Sequence, residues 1–146
     1  MQLNNLELKI IENKPQQLVQ GAVIWLHGLG ADYNDFVPIV AELNLDVALK
    51  FIFPNAPIIP VTINNGYQMR AWYDILDFNN LQRKVDQAGI VQSIANIQQI
   101  IDGLVTQGIP QHKIVIAGFS QGGAISYYTA LNQSKSLAGL LVLSSY

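Results

Sequence analysis

Hydrophobic and polar positions change period several times along this chain, and each change marks an element. "LELKII" alternates apolar and charged residues as an edge strand does. "AVIWLHGLG" is a continuous apolar run ending in glycines, the pattern of a strand buried on both faces. "DFVPIVAEL" predicts a short helix, with Asn34 as its cap and Pro38 near its start. "KFIFPNAP" predicts a second buried strand, stopped by Pro54 and Pro57. Between Ile58 and Asn80 the turn formers "NNG" and "FNN" recur without a sustained period. That stretch reads as a long surface excursion, a feature that is usually functional in a compact domain. From Asp86 the period turns helical: Ile90, Ile94, Ile97, Ile101 and Leu104 recur at three- and four-residue steps until Gly108 and Pro110. "KIVIAGF" then predicts a strand, "QGGAISYYTALNQ" a helix and "LAGLLVLSSY" a final strand. Strands alternating with helices predict an α/β fold, a mostly parallel sheet in a three-layer α/β/α sandwich.

Composition narrows the class. The 146 residues suit one domain, and no repeat or Ser/Gly linker divides them. Half the residues are hydrophobic and only 12% are charged, which leaves little polar covering for a self-contained domain. A net charge of −2 with scattered Lys and Arg gives no footprint for nucleic acid. The absence of cysteine excludes disulfides and thiolate metal sites. The N-terminal "MQLNNLELKIIENK" lacks the basic start and apolar run of a secretory signal. No apolar stretch nears the roughly 20 residues that span a bilayer. A cytoplasmic, soluble protein is therefore expected.

The chemistry centres on Ser120. Gly118-Phe119-Ser120-Gln121-Gly122 matches G-x-S-x-G between a predicted strand and a predicted helix. In such an elbow the residues two before and two after the serine must be small, which accounts for Gly118 and Gly122, and Gly123 lets helix and strand approach. The helix N-terminus beneath Ser120 aims N–H groups at any oxyanion formed there. The alternative is a tight turn with a helix-capping serine. "HGLG", His27 to Gly30, ends the "AVIWL" strand, and a glycine-bordered loop there can supply a second oxyanion donor. A dinucleotide-binding loop would need glycine where Tyr33 stands. His27, Gly28 and Gly30 also admit a plain turn.

With these residues in view, "WLHGLGAD", "FIFPNAP", "RAWYD" and "GFSQGG" resemble, in this order, the acyl-protein thioesterase and phospholipase/carboxylesterase branch of the α/β-hydrolases. The resemblance runs across nearly the whole chain. It implies Ser120 as nucleophile, with the backbone N–H groups of Leu29 and Gln121 forming the oxyanion hole. It also implies that the Ile58–Leu76 loop is the lip of an acyl channel, with Trp72, Ile75 and Leu76 near the acyl chain. Trp72 and Tyr73 fit equally well as core anchors of a long loop. Arg70 and Asp74 read as loop-stabilising. Substrates implied are carboxylic esters, thioesters of S-acylated proteins, or lysophospholipids, with no metal or organic cofactor.

The base and acid are the gap. The hydrolase triad runs Ser, then Asp or Glu, then His. The 26 residues after Ser120 contain no Asp, no Glu and no His. His112 precedes the strand that ends at Ser120, which puts it roughly 20 Å away, and a base must reach within about 3 Å. His27 is the remaining base candidate, with Asp32 or Asp35 available to orient it or to cap the next helix. The chain therefore reads as an incomplete hydrolase domain, residues 1–146, whose C-terminal strands are missing and whose activity is absent or weak. The strand at 137–144 would then be an exposed apolar edge, open to association or homodimerisation. The competing reading is a degenerate module that binds an acyl ligand or a protein partner without turnover.

Overall fold

The computed structural model describes residues 6–76 and 86–145. Their sheet has five strands: β1 (Leu8–Glu12), β2 (Gly21–Leu26), β3 (Leu49–Pro54), β4 (Ile114–Phe119) and β5 (Gly139–Leu143), in the order β1-β3-β2-β4-β5. β1 runs antiparallel to β3, and the other neighbours are parallel. This is the alternating pattern that the sequence predicts.

All six residues of β2 are buried, because the strand is central and both its faces are covered. Ala22, Ile24 and Leu26 join Ile52, Ile114 and Ile116 on one face. Val23 and Trp25 join Phe51, Phe53 and Ala117 on the other. The first face is covered by α1 (Gln87–Thr106) and α2 (Gln121–Leu131). Asp86 caps α1 by accepting the Gly89 N–H at 2.9 Å, and Gly108 leaves the helix at φ +99°. Ile97, Ile100, Ile101 and Leu104 of α1 are fully buried. At about 1.5–3 kcal/mol each, they contribute on the order of 6–12 kcal/mol of apolar burial before entropy is counted.

The second face has a thinner cover. Tyr33, Phe36, Val37, Ile39, Val40 and Leu45 pack on it, and the only helix there among the described residues is a five-residue turn, Ile39–Leu43. Its N-cap is Pro38, with no side-chain cap. Asn34, expected to cap it, instead takes a hydrogen bond from Lys9 Nζ at 3.1 Å. Asp32 does not cap it either, because its carboxylate closes a local turn on the Asn34 N–H at 2.7 Å.

The excursion after Ile58 is more regular than its sequence suggests. Ile58–Val61 and Tyr67–Arg70 form an antiparallel hairpin joined through a 3₁₀ turn at Thr62–Asn64. Asn65 and Gly66 both take positive φ there, which turns the chain back. Pro60 within the first strand masks it from periodicity. The part of the excursion from residue 77 to Asn80 lies outside the described residues.

β5 is an edge. Among the described residues it pairs with β4 alone, and Leu141, Val142 and Leu143 are exposed. Tyr127, Tyr128 and Leu131 of α2 are exposed as well. Among residues 121–145 the only charged side chain is Lys135, so this margin of the molecule is apolar and nearly uncharged.

Candidate active site

Ser120 sits between β4 and α2 at φ 54°, ψ −117°, a conformation that L-residues rarely hold. Its side chain makes no capping hydrogen bond, so the hydroxyl is not engaged as a helix cap. Its N–H donates to Leu143 O at 2.9 Å, which ties the elbow to β5. The flanking glycines are sterically required. A Cβ on Gly118 would stand 2.2 Å from Gly122 O, and one on Gly122 would stand 2.4 Å from His27 O and 2.5 Å from Leu26 O. One on Gly123 would meet Ser145 Cβ at 2.7 Å. Backbone atoms form most of these walls, so no side-chain rotation can open the space.

The loop after β2 reaches the same point. A Cβ on Gly28 would lie 3.4 Å from Ser120 Cβ, which places "HGLG" beside the nucleophile candidate. Gly30 takes φ +76° and donates its N–H to Arg70 O at 2.8 Å. No backbone acceptor among the described residues takes the Leu29 N–H. Gln121 opens α2, where N–H groups have no intrahelical partner. The loop that carries Leu29 and the first turn of α2, which carries Gln121, therefore both flank Ser120.

His27 is buried, and both ring nitrogens are occupied. Nε2 accepts the Ala56 N–H at 3.0 Å, so it carries no proton. Nδ1 lies 2.7 Å from Gly28 O and donates to it. Burial pushes the imidazole below its ordinary value of 6.5, only partly opposed by the Gly28 carbonyl and the Asp32 carboxylate. A neutral ring whose lone pair is already bonded cannot take a proton from Ser120. Of the two roles open to His27, the structural one fits: it holds its own loop against the segment after β3. His112 lies in a 3₁₀ turn, Gln111–Lys113, at the far end of β4. Among the described residues neither histidine serves Ser120.

Trp72 departs from the acyl-lip expectation. It is a core residue, because its indole N–H finds an acceptor inside, His27 O at 2.8 Å. Tyr73 is buried beside it. Ile75 is half-buried and Leu76 exposed. Arg70 donates to Ala56 O at 2.9 Å and pairs with Glu7 at 3.7 Å, while Asp74 accepts the Thr62 N–H at 2.8 Å. Both are loop-stabilising, as expected. Sequence reasoning missed the side chain of Gln121, which is buried and reaches across to residues 72 and 73. The signal was a glutamine at a helix N-terminus that neither the elbow nor the apolar pattern requires. Beside the loop after β2, residues 30–34 and the hairpin enclose a cleft of about 490 Å³ lined by Tyr33, Ile58 and Met69 together with the polar Glu7, Asp32 and Arg70.

Comparison with known proteins agrees with this geometry. Acyl-protein thioesterase 1 of Schizosaccharomyces pombe is 43% identical over 124 residues, covering 85% of this chain and 55% of the relative. The protein of the same name from Cryptococcus neoformans is 36% identical over 142 residues, covering 95% of this chain and 60% of the relative. The crystal structure of Arabidopsis thaliana SOBER1 superposes with a TM-score of 0.82 at 32% identity, covering 88% of this chain and 62% of that one. The chain thus spans a little over half the length of the curated relatives it matches. With the phospholipase/carboxylesterase family model matching residues 7–146, the elbow, the glycine loop and the parallel sheet converge: the chain belongs to that family and has the α/β-hydrolase fold.

Proposed function

We propose that Ser120 is the nucleophile of a serine hydrolase acting on carboxylic esters or thioesters. The observation that carries this reading is the strained Ser120 backbone, which holds an uncapped hydroxyl over the N-terminus of α2 and beside Gly28. Ser120 Oγ attacks the acyl carbonyl, and the Leu29 and Gln121 N–H groups receive the charge on the tetrahedral oxygen. The alcohol or thiol leaves, and water hydrolyses the acyl-enzyme. The names of the relatives favour S-acylated proteins among the substrates, and the family's description, phospholipase/carboxylesterase, adds phospholipids. Exposed Leu76 and half-buried Ile75 offer apolar surface for an acyl chain. A cytoplasmic setting fits the composition, and among the described residues no helix is long and apolar enough to cross a membrane.

The base and acid come from polypeptide that adds strands beyond β5. The free edge of β5 and the apolar face of α2 beside it support this, as does the greater length of the relatives. The chain of 146 residues then keeps the oxyanion hole without a working triad, which typically leaves roughly 10³–10⁴-fold catalysis over water. Hydrolysis of p-nitrophenyl hexanoate, measured beside S. pombe acyl-protein thioesterase 1, tests this. The expected rate lies far below that relative, above buffer, and is removed by Ser120→Ala. A rate that Ser120→Ala leaves untouched overturns the reading. Saturable hexanoate binding with no serine-dependent rate would favour a module that only binds acyl ligands, a reading kept open because neither histidine serves Ser120 among the described residues.

A further inference from the structure

The two oxyanion donors lie on segments 92 positions apart, Leu29 after β2 and Gln121 after β4. An oxyanion hole works only when its donors are held at a fixed spacing, because both must reach one oxygen at about 2.7–3.1 Å. Something must lock one segment to the other. Residue 72 touches both. Its indole Nε1–H donates to His27 O at 2.8 Å, two residues before Leu29. Its backbone N–H donates to Gln121 Oε1 at 2.7 Å. Gln121 Nε2 in turn donates to Tyr73 O at 2.8 Å, so the side-chain amide pairs with residues 72–73 as a neighbouring strand would. The Ser93 hydroxyl from α1 donates to Trp72 O and closes the third side. The His27 and Trp72 rings lie 5.3 Å apart. Trp72, Gln121, His27 and Ser93 are all at least 95% buried.

We infer that Trp72 is a positioning residue, a brace that sets the separation of the Leu29 and Gln121 amides and couples them to the 70–74 loop. This rests on the reading of Ser120 as nucleophile. The brace needs an aromatic ring with an N–H, because Phe fills the space and leaves His27 O without its donor. It needs Gln at 121, because an amide offers one acceptor and one donor where a carboxylate offers acceptors alone.

Trp72→Phe tests the brace on the full chain in two ways. In ¹H–¹⁵N spectra the Leu29 and Gln121 amides both shift and exchange faster, while Ala22 and Val23, at the other end of β2, stay in place. Hexylboronic acid gives the second measurement. Ser120 Oγ adds to its trigonal boron, the serine proton passes to water, and the tetrahedral boronate carries the negative charge into the oxyanion hole. The ¹¹B signal of that adduct should need at least tenfold more boronic acid in Trp72→Phe than in the unsubstituted chain. Should Trp72→Phe not fold, Gln121→Met cuts the same link from the other side, and the Leu29 amide reports it. Adduct formation at equal affinity, or a shift at one donor only, overturns the brace. No adduct on the unsubstituted chain with both amides shifting sinks the nucleophile reading and leaves the mechanical link between the two segments standing.

Discussion

His27 Nε2 accepts the Ala56 backbone N–H at 3.0 Å, so a side chain that titrates near neutrality is fixed in its unprotonated state by the main chain. The folded protein disfavours the imidazolium, because burial depresses the pKa below 6.5. The unfolded chain binds a proton as pH falls through about 6.5. Stability from the neutral ring is therefore intact above that pH, is lost as pH falls below it, and levels off once the folded value is passed. Urea unfolding between pH 8 and pH 5 should show a midpoint that falls with acid. The slope should flatten in His27→Gln, which has no titrating ring. An unchanged slope would mean that the acid sensitivity arises elsewhere.

Ser120→Gly should make the protein more stable while removing any serine-dependent hydrolysis. Glycine holds φ 54°, ψ −117° without the steric penalty that serine meets there, a gain of about 1–2 kcal/mol. Chemical denaturation of both proteins under identical conditions measures it. A destabilised Ser120→Gly would show that the elbow is not strained.

Two glycines predict unequal sensitivities. Gly122→Ala drives a Cβ into two backbone carbonyls and should cost about 3–5 kcal/mol, enough to leave much of the protein unfolded. Gly66→Ala meets open space and bears only the left-handed φ of +76°, a penalty of about 1–2 kcal/mol. Yields of soluble protein and thermal midpoints should rank the two in that order.

The free side of β5 predicts association. It has no Lys, Pro or bulge to block pairing, and Leu141, Val142 and Leu143 are exposed. Val142→Lys should shift the protein toward monomer at concentrations where the unsubstituted chain forms larger species. Light scattering across a concentration series reads this directly. Equal mass distributions for the two would clear β5 of that role.

The sheet, its two packed helices and the elbow were legible because their signals are local. A continuous apolar run marks β2, three- and four-residue spacing marks α1, and glycines around Ser120 mark the turn. What escaped depends on pairing between distant residues. The hairpin at Ile58–Arg70 is held by cross-strand register, and Pro60 disguises its first strand. The role of Trp72 was ambiguous because an aromatic in a loop fits a channel wall or a core equally well. The acceptor at His27 O, 45 residues away, settles it as a core residue. The same holds for His27, whose exclusion as a base follows from one amide hydrogen on Ala56.

The hydrogen bond from the Ser120 N–H to Leu143 O makes the serine part of the sheet's outermost seam. Any fraying of β5 from β4 starts at a strand with one neighbour and ends at the elbow. Amide exchange at Ser120 is thus a built-in gauge of the margin: slow when something clasps β5 from outside, fast when that side stands open.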